Sequence, residues 1–360
     1  MPRKQHKKQR MRRGAVLLPA LFCSLLLTGC GLGSLLSGLQ GQLGAAQEGE
    51  TPQPSEYVHF NLIGSETPEP GQTPRPSPDP AAAPVMTLEE ALAADSWGLL
   101  YPHPRESFVG REYYDVSDEK DLILSVSDGL ARGIPGIVIR YSNHDCNYWL
   151  KALEANVNRS ELSGQTGGSF TVIDEGGGTM GVYPIYKQAA QAFTYYRFLE
   201  PEISGETMDL LRAAYDLAAE AVQKYPGDEY GILLYLNDRL AAMAEYAEPI
   251  PSGLGIPERD ATGVFFKGRA VCAGYTAAYQ LVLNILGIEN KAVTNNKDSG
   301  SDAAHIWNYV KFGEQWYHVD VTWNRSDDPE YRDEYFLLTD EELAELNGGS
   351  STHAWIPFLN

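Results

Sequence analysis

The chain has 360 residues and carries 48 acidic against 28 basic side chains, which gives a formal net charge of −20 at pH 7. This balance excludes the basic face that nucleic-acid binding requires, so we expect no nucleic-acid partner. It also excludes attraction to anionic lipid headgroups, so any attachment to a membrane must depend on an apolar or covalent anchor.

Residues 1–29 have the organisation of a secretory signal peptide. Seven of the first thirteen residues are Lys or Arg, and an uncharged apolar run follows from Ala15 to Leu27. That run is shorter than the ~20 apolar residues that a membrane-spanning helix needs. The next residues, Thr28, Gly29 and Cys30, resemble the bacterial lipobox. The resemblance implies cleavage before Cys30 and a lipid on its thiol, so we expect a lipid-anchored protein on the extracytoplasmic face of the cell membrane.

Residues 30–86 are predicted to be the lipid anchor and a flexible linker. Gly, Ser, Gln, Thr and Pro dominate this stretch, and seven prolines fall between Pro68 and Pro84. Such a composition buries too little apolar surface to fold and is typical of an extended tether.

Residues 87–203 are predicted to form a small α/β accessory domain, because helix and strand signals alternate along them. The signals are a capping box at 87–90, apolar residues at helical spacing (Leu122, Val126, Leu130), a buried strand at 136–141, a helix capped by Asp145, and strand-like runs at 169–173 and 179–186. No motif in this domain predicts its function.

Three glycines between the last two runs match the spacing of a dinucleotide-binding loop. Gly176, Gly178 and Gly181 fit the pattern G-x-G-x-x-G. That mechanism requires a helix to begin at the third glycine, so that its positive end meets the pyrophosphate. Val182 and Pro184 follow instead, in a strand-like stretch. We therefore interpret the glycines as the turn of a hairpin and expect no nucleotide cofactor.

Residues 204–345 are predicted to form a second domain that begins with helices. Two amphipathic helices are separated by Pro226-Gly227, and Asp228 caps the second of them. A further apolar-periodic helix ends at Gly287 and begins at Cys272. Residues 346–360 are assigned to a C-terminal tail.

The position of Cys272 at the start of a helix favours a reactive thiol. Unpaired main-chain amides and the positive end of the helix dipole stabilise a thiolate there, and the thiolate is the nucleophile. The other cysteine that remains after the predicted cleavage and lipidation is Cys146. An exported protein permits a disulfide between the two. We favour two unpaired cysteines, with Cys146 as a small buried hydrophobic residue.

A predicted hairpin supplies partners for the thiol. Residues 305–312 and 316–323 are rich in aromatic and β-branched residues and are separated by Gly313-Glu314. A two-residue turn there pairs Trp307 with Asp320 and makes His305 and Asp320 diagonal neighbours on one face. An aspartate in that place orients the imidazole, whose other nitrogen then takes the thiol proton. A three-residue turn would separate the two side chains.

The order Cys, His, Asp, with AVCAGYTAAY at 270–279, HIWNYV at 305–310 and WYHVDVTW at 316–323, resembles the transglutaminase-like superfamily. The resemblance covers about residues 205–345. It implies an α+β fold with a papain-like core, made of a helical part and an antiparallel sheet. It also implies Cys272 as nucleophile, His305 as general base and Asp320 as the orienting residue. The main-chain amide of Cys272 is expected to form part of the oxyanion hole.

Several other side chains that carry chemistry lie near these motifs. His318 shares a face with Asp320 and is an alternative base, although it lies in the middle of its strand. Trp307, Trp316 and Trp323 are interpreted as core and cleft walls, and His353 is given no role. The acidic loop from Asp298 to Asp302 does not follow the calcium-loop pattern, so no metal is predicted.

The leading hypothesis is a surface-anchored cysteine acyl-transfer enzyme that cleaves or transfers protein or peptide amides, including cell-wall peptides, through a thioester on Cys272. Hydrolysis, as in a peptidase or amidase, is slightly favoured over transfer to an amine. The alternatives are a non-catalytic transglutaminase-like module that binds peptides or cell-wall components, and a structural surface protein displayed by the linker.

Overall fold

The structure, a computed structural model, describes residues 85–162, 169–248, 256–295, 304–325, 333–347, 352–355 and 357–359. The predicted signal peptide, Cys30 and the linker lie outside the described residues. Within these ranges, no helix combines the length and the apolar character needed to cross a bilayer.

Most of the described helices begin at a capping side chain, but the helices that begin at Gln188 and Cys272 have none. In chain order they are α1 Leu88–Ala93, α2 Glu119–Ala131, α3 Cys146–Asn156, α4 Gln188–Phe198, α5 Gly205–Lys224, α6 Glu229–Met243, α7 Cys272–Leu286 and α8 Asp340–Asn347. The predicted caps at Thr87, Asp145 and Asp228 are confirmed, and Thr87 and Glu90 form the complete capping box. Each cap satisfies a main-chain amide that the helix itself leaves unpaired.

The strands form two main sheets and two short pairs. They are β1 Ser96–Trp97, β2 His103–Pro104, β3 Glu112–Asp115, β4 Ile137–Arg140, β5 Phe170–Gly176, β6 Thr179–Pro184, β7 Glu245–Tyr246, β8 Arg269–Ala270, β9 Asn290–Thr294, β10 Ile306–Phe312 and β11 Gln315–Val319. One sheet has the order β3-β4-β6-β5 and the other the order β11-β10-β9. The mixture of helices with largely antiparallel sheets is the predicted α+β class.

The sheet β3-β4-β6-β5 has one face buried against helices. β3 and β4 are parallel and the other neighbours antiparallel. Ile137, Ile139 and Val182 pack in one hydrophobic core with Leu122 of α2 and Trp149 of α3. This core is that of a small α/β unit, as the alternation of signals predicts.

The glycine-rich segment is a hairpin turn between β5 and β6. Gly176, Gly177 and Gly178 all have positive φ angles, between 61° and 79°, a conformation that glycine adopts without strain. β6 follows directly at Thr179, so no helix begins at Gly181. The three glycines therefore form the predicted hairpin turn, and the helix that a dinucleotide-binding loop requires does not follow them.

The second hydrophobic core is built around α7. Nearly all side chains of this helix are buried, and α4, α5 and α6 pack around it. The Tyr279 hydroxyl donates to the carbonyl of Leu233 in α6 at 3.0 Å. Such burial fixes the axis of α7 and therefore the position of its first residue.

The cores divide the chain differently from the predicted boundary between residues 203 and 204. Leu88 and Ala91 of α1 and Ala189 and Tyr196 of α4 belong to the core around α7, although both helices lie within residues 87–203. The sequence reveals the apolar stripe of each helix but not which core it joins. The α/β core itself draws on residues from about Val116 to Val182.

The sheet β11-β10-β9 has two different faces. Asn308, Val310 and Val319 are directed toward α7, where the two valines join its core and Asn308 donates to the carbonyl of Thr276. Trp307 lies on the opposite face and packs with Leu343 of α8. Strand alternation thus separates the residues that hold the sheet on α7 from those that line the other side.

Candidate active site

The sulfur of Cys272 lies at the first residue of α7. Val271 is the N-cap residue and makes no side-chain capping bond. The first amides of the helix therefore donate no hydrogen bond to the side chain of the N-cap residue. Cys272 and Cys146 are both half-buried and are not joined in a disulfide, so the predicted absence of a disulfide between them is confirmed and the predicted burial of Cys146 is wrong. Cys146 is the first residue of α3 and packs only partly buried against the α/β core.

Glycine at position 274 permits close packing of the first turn of α7. A Cβ at this position would lie 2.6 Å from the carbonyl oxygen of Glu258 and 3.1 Å from that of Asp260. The preceding turn, Pro257–Arg259, is thus held directly against the helix start, and the amide of Val271 donates to Glu258. No other residue type allows this approach without displacement.

The hairpin has the register that a two-residue turn predicts. Asn308 pairs with Val319 and Phe312 with Gln315 around Gly313-Glu314. Continuing this register places Trp307 opposite Asp320, as expected. His305 lies just before β10 and Asp320 just after β11, so both side chains stand at the same end of the hairpin.

The predicted second strand, residues 316–323, is too long. β11 ends at Val319, and residues 321–323 form a turn. Oδ1 of Asp320 accepts hydrogen bonds from the amides of Thr322 (3.0 Å) and Trp323 (3.3 Å). This local side-chain bonding competes with the sheet ladder and ends the strand. The same turn fixes the carboxylate in place.

His305 and Asp320 form a buried pair. The distance from His305 Nε2 to Asp320 Oδ2 is 2.5 Å, and both side chains are almost inaccessible to solvent. Burial alone would lower the pKa of His305, but the charge and the hydrogen bond of Asp320 raise it to about 10. Burial would likewise raise the pKa of Asp320, and His305 holds it well below its usual range. The pair is therefore an imidazolium beside a carboxylate.

The imidazole of His305 also bonds the thiol of Cys272. Because Nε2 is directed at Asp320, Nδ1 is the nitrogen that remains for the sulfur. Burial would raise the pKa of the Cys272 thiol, but the hydrogen bond and charge of His305 and the amide of Ile306 hold it below its ordinary value. The structure thus brings together the three side chains singled out in the sequence, in the order sulfur, imidazole, carboxylate.

Two buried hydrogen bonds fix α7 against β10 beside this cluster. The Thr276 hydroxyl donates to the carbonyl of Ile306 at 3.0 Å, and the Asn308 amide group donates to the carbonyl of Thr276 at 3.1 Å. Thr276 lies one helical turn after Cys272, and Ile306 follows His305 directly. The distance between sulfur and imidazole is therefore set by contacts within the protein interior.

His318, the alternative base, is engaged elsewhere. Its Nδ1 accepts the indole N–H of Trp307 at 2.9 Å, and its Nε2 lies 3.0 Å from Oδ1 of Asp340. Burial lowers the pKa of His318 to about 4, so it is neutral and Nε2 is the donor to Asp340. Both ring nitrogens are used, and neither is available for the thiol.

His353 is the residue that sequence reasoning missed. Its side chain is fully buried, and its Nε2 lies 2.8 Å from Oδ2 of Asp320. Its position 33 residues beyond Asp320, after α8, follows no periodicity that would predict the contact. Trp307 is buried as expected, whereas Trp323 is 44% exposed and its ring lies 6.1 Å from that of His305.

His305, Asp320 and His353 also have the donor atoms of a metal site, all within 4.8 Å of one another. Ligands of tetrahedral zinc lie ~3.3 Å apart, as follows from metal–ligand distances of about 2.0–2.1 Å. Here both imidazole nitrogens lie 2.5–2.8 Å from one oxygen, which is the spacing of hydrogen bonds. The acidic loop from Asp298 to Asp302 lies outside the described residues.

Comparison with known proteins identifies the class of this site. Residues 216–321, which include Cys272, His305 and Asp320, match the family model of the transglutaminase-like superfamily. This part of the chain is a transglutaminase-like domain, as the sequence motifs predict. No curated protein matches the chain.

Solved structures with some similarity include a TGase, 14% identical over 56% of this chain and 55% of its own, with a TM-score of 0.30. Another is the periplasmic domain of TgpA from Pseudomonas aeruginosa bound to ethylmercury, 20% identical over 43% of this chain and 58% of its own, with a TM-score of 0.27. The chain spans little more than half the length of these structures. The assignment of the domain rests on the family model.

Proposed function

We propose that the protein is a cysteine acyl-transfer enzyme in which Cys272 is the nucleophile, His305 the general base and acid, and Asp320 the orienting residue. The observation that carries the proposal is the position of His305, bonded to the Cys272 thiol on one side and to the buried Asp320 carboxylate on the other. This arrangement lowers the pKa of the thiol and holds a proton donor beside it.

The reaction follows from these positions. The Cys272 thiolate attacks an amide carbonyl, a C–S bond forms, and the negative charge moves to the carbonyl oxygen. We assign the stabilisation of that oxygen in part to the main-chain amide of Cys272, the first residue of α7. When the tetrahedral adduct collapses, the C–N bond breaks and the leaving amine takes the proton from His305, which leaves a thioester.

A second acceptor completes the cycle. His305, now neutral, removes a proton from water or from an amine as it attacks the thioester, and the thiolate of Cys272 leaves. Water gives an acid, which is the peptidase or amidase reaction, and an amine gives a new amide. We favour hydrolysis slightly, and protein or peptide amides, including cell-wall peptides, as substrates. We further propose that a lipid on Cys30 anchors the protein to the extracytoplasmic face of the membrane.

The two half-buried cysteines provide an internal test of the catalytic site. Each opens a helix, α7 or α3, but His305 bonds only the Cys272 thiol. At pH 6–7 we expect iodoacetamide to label Cys272 at least ~10-fold faster than Cys146, since the reactive species is the thiolate. Mass spectrometry of tryptic peptides measures both rates in one sample. Equal rates would contradict the proposal.

Activity is tested with a library of peptide amides, with and without a primary amine acceptor. The wild-type chain is expected to release the amine, and Cys272→Ala to be inactive while Cys146→Ala is unaffected. Acid as the main product supports hydrolysis, and a new amide supports transfer. Rapid labelling of Cys272 with no turnover of any amide would favour the non-catalytic binding module.

A further inference from the structure

The short C-terminal segment Thr352–Trp355 reaches the catalytic cluster through His353. The ring of His353 stacks on Tyr335, with centroids 4.9 Å apart and an interplanar angle of 22°. It meets Trp307 and Trp323 edge-on at 5.0 and 4.9 Å. Aromatic side chains thus hold the imidazole on several sides, with Nε2 directed at Asp320.

The same segment is tied to the backbone of His305. Trp355 forms an antiparallel bridge with Asn295. The side-chain oxygen of Asn295 accepts a hydrogen bond from the main-chain amide of His305 at 2.9 Å. The main-chain amide of Asn295 donates in return to the carbonyl of His305 at 3.1 Å. Asn295 therefore connects the segment that carries His353 with His305, which contacts the thiol.

The hydrogen bonds of Asp320 determine the direction of each donor. A carboxylate only accepts, so Nε2 of His353 must carry a proton. Oδ2 receives His305 and His353, while Oδ1 receives the amides of Thr322 and Trp323. With donors on both oxygens, the carboxylate cannot rotate about its Cβ–Cγ bond without breaking bonds in a buried site.

From these contacts we infer that His353 is a positioning residue of the site. It holds Oδ2 of Asp320 at the place from which that oxygen orients His305 toward Cys272. This inference rests on the proposed function and extends the site to the C-terminal segment, which the sequence assigned to a tail outside the domain.

The hydrogen bond from His353 affects the charge of Asp320 as well as its position. Two donors share Oδ2, so His353 withdraws part of the electron density that His305 would otherwise receive. Removal of the donor from position 353 should strengthen the pairing of Asp320 with His305 and raise the pKa of His305. Other titratable groups among the described residues that interact with this cluster are Tyr246 and Lys187 near the sulfur, Tyr335 near Asp320 and His318 near His353.

Two variants of similar size separate donation from packing. In His353→Gln an amide N–H can take the place of Nε2–H, whereas His353→Leu fills the space without a donor. His353→Asn, whose amide is too short to reach Asp320, provides the same comparison if the Leu variant does not fold. His144→Gln is the control, because His144 is exposed and stacks on Tyr148 in the accessory unit.

The measurement is the rate of alkylation of Cys272 by iodoacetate from pH 4 to 11 in the full chain, with thermal unfolding recorded for each variant. Iodoacetate is an anion and reacts fastest with a thiolate beside an imidazolium, so the basic limb of the profile reports loss of the His305 proton. We expect His353→Leu to reduce the maximal rate by roughly 10–100-fold, as displacement of a catalytic group does, and to move the basic limb to higher pH. His353→Gln and His144→Gln should stay within about 3-fold of wild type, with unchanged limbs, because the geometry is kept.

The outcomes distinguish the inference from the function on which it rests. A reactive wild type with an unchanged Leu variant would overturn the role of His353 alone. Equal losses in the Gln and Leu variants without a shift of the basic limb would mean a purely structural contribution and would also overturn it. A wild type in which Cys272 is alkylated no faster than Cys146 would instead refute the proposed function.

Discussion

Burying a carboxylate costs several kcal/mol unless its hydrogen bonds are fully provided. Asp320 is almost inaccessible to solvent and receives donors from two imidazoles and two main-chain amides. These donors come from three separate parts of the chain. The position of His305 therefore depends on one carboxylate whose own place is determined by the surrounding fold.

Replacement of Asp320 by Asn tests this dependence. The amide keeps the shape but removes the charge that raises the pKa of His305 to about 10. Without a stable imidazolium, the pKa of the Cys272 thiol should rise, and its alkylation at pH 6 should fall by roughly 100-fold or more. Asp145→Asn is the control, because Asn caps a helix as well as Asp does. A rate in Asp320→Asn equal to that of wild type would show that the carboxylate has no part in activating the thiol.

The lowered pKa of the buried His318 predicts that the folded protein loses stability in acid. Its pKa in the folded protein is about 4, below the value near 6.5 of an unfolded histidine, because burial disfavours the charged ring. As the pH falls, the unfolded state binds this proton first, so stability decreases from about pH 6.5 to 4 and this contribution then levels off. The loss from this group is on the order of 3 kcal/mol.

His318→Asn measures that contribution. The Asn oxygen can still accept the Trp307 indole N–H, but the side chain no longer titrates. Urea unfolding at pH 7 and pH 4.5 should show a smaller difference for the variant than for wild type. His144→Asn, at an exposed site, should leave the difference unchanged. An identical pH dependence in wild type and His318→Asn would contradict the prediction.

At the residue scale, Cys272, His305 and Asp320 could be predicted because local patterns in the sequence indicate their positions. A helix start marks the first, and the register of a hairpin with a two-residue turn relates the other two. His353 was not predictable. Its contact with Asp320 depends on the path of the chain through Leu338 and α8, which no spacing in the sequence encodes.

At the scale of elements, helix starts were predicted well because caps are local chemistry. Thr87, Asp145 and Asp228 each bond an amide within three residues. The predicted end of β11, Trp323, lies four residues beyond its observed end, Val319. Aromatic and β-branched side chains continue to Trp323 and favour a strand, but the carboxylate of Asp320 bonds its own following amides instead.

Gly274→Ala tests how far the start of α7 depends on close packing. Alanine gains about 1 kcal/mol of helix propensity over glycine, but its Cβ would lie within 3.0 Å of main-chain and side-chain atoms of neighbouring residues. We expect a net destabilisation of about 1–3 kcal/mol, as for other overpacked sites, and slower alkylation of Cys272. Gly205→Ala at the start of α5 has no neighbour within 4 Å and should be neutral or slightly stabilising. A Gly274→Ala protein as stable and as reactive as wild type would show that the packing is not tight.

At the scale of the whole molecule, the α/β unit contacts the sheet β11-β10-β9. The hydroxyl of Thr294 donates to the carbonyl of Asn158 at 2.8 Å, and Ser160 Oγ accepts the amide of Thr294 at 3.0 Å. The amide of Leu359 donates to Glu161 at 2.8 Å. The sequence does not predict these contacts, because hydrogen bonds between residues 134, 136 and 198 positions apart leave no local pattern.

Each outer strand of the sheet β11-β10-β9 is covered at one end or one position. Ser160 accepts the amide of Thr294 at the end of β9, Trp355 bridges Asn295 just beyond it, and Leu338 exchanges two main-chain hydrogen bonds with His318 of β11. Sheets with open borders commonly capture an extended polypeptide as an additional strand. At these positions that mode of recognition is closed. If the proposed function holds, we expect a peptide that reaches the thiol to be held by side-chain contacts at the start of α7 and beside Trp323, rather than as an additional strand at these positions.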